Sequence, residues 1–160
     1  MPSQNTQSDG NRQLVRRFMD ECWNQGNLNT VSELIAGNCR FHDPVFPHLT
    51  SGADNLRSHI ETCRSGFPDL KFAIDDTIAE RDEVVLHWTA TGTHKGQFLG
   101  MAPTNKKASV SGTSIFRIEG SRIVEQWANW NLMSMMEQLG LSTAPQEKSN
   151  APKAGSKVRA

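Results

Sequence analysis

From residue 11 to residue 66 the apolar positions recur every three or four residues, and from residue 70 onward they recur every second one. In "NRQLVRRFMDECWNQGN", Leu14, Val15, Phe18 and Cys22, with Trp23 one position beyond, form a stripe that predicts an amphipathic helix stopping near Gly26. A second, shorter helix is expected in "NTVSELIAGN", capped by Asn29 or Thr30, closed by Gly37 or Asn38, with Val31, Leu34 and Ile35 as its apolar face. A third, in "SGADNLRSHIETCRSGF", places Leu56, Ile60 and Cys63 on one face with His59 beside them, and Gly66 and Pro68 end it.

The alternating region reads as four strands. "LKFAIDDTIA" points Leu70, Phe72, Ile74 and Ile78 one way, and "EVVLHWTATGTH" does the same with Val84, Leu86, Trp88, Ala90, Gly92 and His94. "KASVSGTSIFRI" then carries Ala108, Val110, Gly112, Ser114, Phe116 and Ile118 on one face, and "EGSR" turns it into "IVEQWANWN". A last helix, "NLMSMMEQLG", ends at Gly140. Helices followed by an antiparallel meander define an α+β class, and a sheet curling around its helices makes a cone with a cavity inside. On the fourth strand the odd positions are Ile123, Glu125, Trp127, Asn129 and Asn131. If that face is the inner one, its carboxamides and carboxylate need a ligand, water or partners, and a pocket is the economical explanation.

Charge and composition narrow the function classes. Seventeen basic residues balance seventeen acidic ones, so no single-sign field invites nucleic acid or an anionic membrane. No apolar run is long enough for a membrane span, and the first ten residues carry no signal-peptide pattern. Cys22, Cys39 and Cys63 are widely spaced and odd in number, which fits reduced thiols in a cytoplasm better than a disulfide framework. The expected organisation is an N-terminal tail over residues 1–11, one domain over 12–141, and a basic tail over 142–160 whose charge is +3.

Five phrases in order, "FHDPVFP", "GFPDL", "GTHKGQFLGMAPTNKK", "FRIEGSRIVEQW" and "QLG", resemble the SnoaL-like polyketide cyclase family of the nuclear transport factor 2-like superfamily. The resemblance implies a curved antiparallel sheet on three helices, a deep cavity, and a homodimer through the outer sheet faces. It also implies an intramolecular aldol ring closure of a polyketide ester without metal or organic cofactor. In the family, an aspartate four residues after the tryptophan of the fourth strand acts as acid/base. Here Trp127 matches and Asn131 stands at the aspartate position. A carboxamide exchanges hydrogen bonds but not protons near neutral pH.

Other groups are therefore candidates for the proton work. His94, on the apolar parity of the second strand, is either a base or acid or a turn histidine bonded to backbone. His59 either faces the cavity or lies at a helix flank. Asp43, before Pro44, is either a buried base or a loop-ordering hydrogen-bond acceptor. The spacing of His42, Asp43, His48, His59 and His94 matches no metal motif. Trp88, Trp127, Phe41 and Phe98 are wall candidates, with Asn129 and Arg117 as polar contacts. Gly92, Gly96 and Gly100, with Phe98 and Leu99 between them, give the turn after the second strand more residues than a hairpin needs, and they suggest a lip at the cavity mouth. The reading is a cofactor-free cyclase or isomerase acting on a hydrophobic carbonyl compound. Its rivals are a binding module on the same scaffold, and an isomerase or epoxide hydrolase using Asp43 or a histidine.

Overall fold

The computed structural model describes residues 3–141. Its first element, α1 (Gln4–Arg17), runs without a break into a π-helical turn over Phe18–Asn24. The helix therefore reaches into the segment expected to be a tail. Ser3 caps it by accepting from the Thr6 amide, Ser8 is buried, and the Asn11 side chain donates to the Arg81 carbonyl. The expected tail over 142–160 lies outside the described residues. Val15, Phe18, Cys22 and Trp23 are all buried, as their spacing requires. The Asn24 carboxamide then pairs with both backbone groups of Phe72, as a neighbouring strand would, and so pins the helix to the sheet edge.

The second helix is shorter than its apolar stripe predicts. A 3-10 turn (Leu28–Thr30) leads into α2 (Val31–Leu34), and the chain then extends as β1 (Ile35–His42). Ile35 is buried as the first residue of a strand, not as the last of a helix. After α3 (Ala53–Gly66) come β2 (Lys71–Glu80), β3 (Glu83–Thr93), β4 (Lys107–Glu119) and β5 (Arg122–Trp130), closed by α4 (Leu132–Gln138). The strand order is β1-β5-β4-β3-β2. The sheet thus has five strands, and it is mixed: β2 to β5 form the expected antiparallel meander, while β1 pairs parallel to β5.

Two register slips decide which side chains face inward. In β2 the slip between Ile74 and Asp76 moves Thr77 opposite Leu86 and Ile78 opposite Val85. Ile78 thereby leaves the inner face and stands 62% exposed. In β5, Ile123 lies opposite Ile118, but Glu125 lies opposite Arg117, so Val124 is the extra residue of a bulge. From Gln126 onward the even positions of β5 share the inner face of Phe116, Ser114 and Gly112. The expected odd face is the outer one beyond Ile123.

The narrow end of the cone is solid, with Phe18 set edge-on to Phe116 among Val84, Leu86 and Ile123. Toward the other end the rings stand apart and enclose space.

Candidate active site

The cavity holds about 950 Å³ of empty space, counted out through its open mouth and so including solvent. Its walls are largely aromatic. Trp23 from the first helix, Phe72 from β2 and Trp88 from β3 pack in sequence, with ring centres 5.2 and 5.0 Å apart. Phe46, in the loop after β1, meets Phe98 edge-on at 5.9 Å and stacks on Trp130 at 6.0 Å. Among the residues that line the cavity there is no lysine or arginine.

Trp88 lies across the sheet because Gly112 opposite it has no side chain. A Cβ at Gly112 would overlap the Trp88 ring and come within 2.8 Å of the Trp130 Cβ. The indole N–H of Trp88 thereby reaches Ser114 Oγ at 2.9 Å.

Asp43 follows β1 at the cavity wall. The proline after it holds it extended, and its own side chain folds the loop: Oδ1 accepts from the Val45 amide at 2.8 Å, and its carbonyl accepts from the Phe46 amide at 3.1 Å. Oδ2 accepts from the Trp130 indole at 3.3 Å. Burial pushes its pKa above the ordinary carboxylate value, against the lowering effect of those three donors. Asp43 thus orders the loop, as one of its two expected roles required, while its half-buried carboxyl remains at the cavity wall.

His59 lines the same cavity from α3. Phe46 meets its ring edge-on at 4.4 Å, and Trp23 does so at 5.7 Å. Its Nε2 lies 3.7 Å from the Cys63 thiol. Burial without a charged partner lowers its pKa to about 4, so it is neutral at physiological pH. Burial also raises the Cys63 thiol to about 12, with the Asp43 carboxylate adding to the shift, so that this wall cysteine is a thiol and not a nucleophile.

Of the other candidates, Phe41, Trp88 and Phe98 line the cavity as expected. His94 does not. It is wholly buried, stacked on Phe67 at 5.3 Å, and its Nδ1 accepts from the Thr104 amide at 3.3 Å. It orders the turn over residues 94–106, the turn-histidine alternative. That turn is held against the end of α3: the amides of Lys95 and Gly96 both donate to the Gly66 carbonyl, and a Cβ at Gly96 would overlap the Ser65 carbonyl. Phe98 is tucked inward from it, and Leu99 is exposed.

Trp127 and Asn129 fall on the outer face, because the Val124 bulge reverses the parity from which they were expected to face inward; Arg117 is there too, by the parity of its own strand, opposite to Phe116 and Ile118, and so is no contact within the cavity. There Glu125, buried, is bonded by Arg117 at 2.7 Å, Arg40 at 2.8 Å and His42 at 2.9 Å, and His42 stacks on Trp127. Burial raises the pKa of Glu125, but the His42 bond and the two guanidinium groups outweigh it and hold it below the ordinary value. Asn131 is exposed and caps α4, its Oδ1 accepting from the Ser134 amide at 2.9 Å. Among the described residues no three His, Cys, Asp or Glu side chains gather as a metal site.

The wall residues that sequence parity missed are Gln126, Ala128 and Trp130. A signal for them existed. The two-residue turn Gly120–Ser121 pairs Glu119 with Arg122, and an unbroken ladder from there would set Glu125 beside the core residue Phe116. Burying an unpaired carboxylate there is costly enough to demand a bulge.

A cone of this topology, closed at one end by packed rings and open at the other onto an aromatic cavity with one half-buried carboxyl in its wall, defines the nuclear transport factor 2-like class of small α+β proteins. The family model for SnoaL-like polyketide cyclase matches residues 13–139, and the chain belongs to that family. Among solved structures it is similar to TsrD from Streptomyces laurentii, with 25% identity and a TM-score of 0.76 over 84% of this chain and 97% of that one. It also resembles a candidate polyketide cyclase from Acidithiobacillus ferrooxidans, at 27% identity and a TM-score of 0.74 over 82% and 94% of the two chains. IdmH from Streptomyces antibioticus, likewise a candidate polyketide cyclase, gives 27% identity and a TM-score of 0.70 over 81% and 98%. No protein of curated function matches the sequence.

Proposed function

We propose that the protein is a cyclase or isomerase that moves a proton at the carbon next to a carbonyl in a hydrophobic small molecule, with Asp43 as the acid/base and no cofactor in the step. The observation that carries this reading is the Asp43 carboxyl itself. It is aimed by Val45 and Trp130, raised by burial, and set in a cavity lined without a lysine or arginine. As a carboxylate it takes the α-proton while the C–H electron pair passes into an enolate. The enolate carbon then attacks a second carbonyl of the same folded molecule, and the proton returns to the new alkoxide. The aromatic walls hold the chain in the folded form that attack requires. Trp88, Phe41 and Phe98 are binding contacts in this reading, and neutral His59 flanks the reacting carbon.

The elementary step is testable without the natural substrate. In D₂O the protein is expected to catalyse deuterium uptake at the α-carbons of 2-tetralone, read by mass spectrometry, and Asp43→Asn is expected to lose at least about a hundredfold in rate. Uptake no faster than buffer, or equal in the variant, contradicts the proposal. The second reading, a binding module without turnover, is favoured by the capping role of Asn131 at the family acid/base position. It predicts 2-tetralone binding with no exchange. We also infer a homodimer through the outer sheet face, supported by the exposed Ile78 there and checked by light scattering. A reducing cytoplasm is supported by three buried unpaired thiols.

A further inference from the structure

The inner face of the sheet carries a polar pair opposite Asp43. The Ser114 hydroxyl is 3% exposed, and one of its lone pairs is filled by the Trp88 indole N–H. Its own proton is given to no group among the described residues. Gln126 lines the same floor, and its carboxamide likewise has no partner among them. Ser114 lies directly across from Ala128, and Gln126 is two residues before Ala128 on the same face. On the other side of Ala128 the register of β1, with Phe41 beside Gln126 and His42 beside Trp127, brings Asp43 to the level of Ala128. Asp43 and Ser114 therefore stand on one row of the sheet, two strand spacings or about 10 Å apart between backbones, with only a methyl group between them.

On the reading that the cavity takes a carbonyl compound, we infer that Ser114 and Gln126 form its oxygen-binding subsite, donating to the carbonyl oxygen whose α-carbon lies against Asp43. The direction of donation follows from the ligand. A carbonyl oxygen can only accept, and the Ser114 hydroxyl, holding the Trp88 N–H on one lone pair, keeps its own proton to give. The spacing suits the chemistry. A proton acceptor on one side of Ala128, the Ser114 donor on the other and the Gln126 donor two residues along the strand between them bracket a C–C=O unit, and the donors meet the oxygen where charge develops as the α-proton leaves. Ala128 presents only a methyl group to the floor between them. This would make the pair a selector for oxygenated ligands over hydrocarbons of the same shape, because the hydrocarbon leaves both donors buried and unpaired.

The experiment measures dissociation constants for 2-tetralone and for tetralin, which lacks the carbonyl, by calorimetry on the wild type, Ser114→Ala and Gln126→Leu. Each variant is expected to weaken 2-tetralone about five- to tenfold while leaving tetralin within about twofold, so that the ratio of the two constants shifts. Gln126→Leu leaves the Trp88–Ser114 bond intact, which keeps the test decisive if Ser114→Ala loosens the fold. Ratios unchanged in both variants overturn the subsite while leaving the cavity and Asp43 standing. Failure of the wild type to bind either compound overturns the functional reading and the subsite with it.

Discussion

Asp43 and His59 are both pushed by burial toward their neutral forms, and the pH consequences run in opposite directions. Asp43 must be ionised to take a proton, so the exchange rate should rise with pH through a value above 3.8. A profile already flat by pH 4 would contradict its role. The folded pKa of His59 lies below its ordinary 6.5, at about 4. The unfolded chain therefore binds its proton first as the pH falls. Stability from this residue is full above about pH 6.5 and is lost toward pH 4, by up to roughly 3 kcal/mol. Urea midpoints from pH 7 to pH 4.5 should fall less steeply for His59→Phe than for the wild type. Asn131→Asp keeps the capping acceptor and places a negative charge at a helix N-terminus. It is expected to hold or raise the melting temperature by a degree or two and to leave the exchange rate within about twofold, since residue 131 is exposed and outside the cavity wall.

The helices and the β2–β5 meander were legible in the sequence because each long element repeats its period several times. Leu56, Ile60 and Cys63 on α3 needed no tertiary knowledge to be placed. β1 was not legible, because Ile35 continues the helical stripe of Val31 and Leu34, and only the parallel pairing with β5 turns it into a strand. The site suffered from a single residue. Val124 exchanged the inner and outer sets of β5, so Trp127 and Asn129 were expected where Gln126 and Trp130 stand. Asp43, His59, Trp88, Phe41 and Phe98 survived, since none depends on that register.

Two further outcomes belong to the elements. Gly112→Ala should lift Trp88 from the floor and cost about 1–3 kcal/mol in urea unfolding. On the outer face Glu125 ties Arg40 and His42 of β1 to Arg117 of β4. Glu125→Ala should destabilise by about 1–2 kcal/mol, since its partners keep access to water, and the loss should shrink at high salt.

At the scale of the molecule, the cone divides its labour along its axis. The narrow end, with Phe18 and Phe116, supplies burial, and the wide end trades packing for space walled in part by Phe46 and Phe98. A sheet with polar groups on both faces separates two tasks: Glu125 binds strands together outside, while Asp43, Ser114 and Gln126 face the cavity within. Fold alone does not name a reaction; the side chains of a site must. The most direct test is to locate the guest. With alanine methyl groups labelled, 2-tetralone should give nuclear Overhauser contacts to the Ala128 methyl at the centre of the floor. Contacts confined to methyl groups of the outer face, with none to Ala128, would contradict the account.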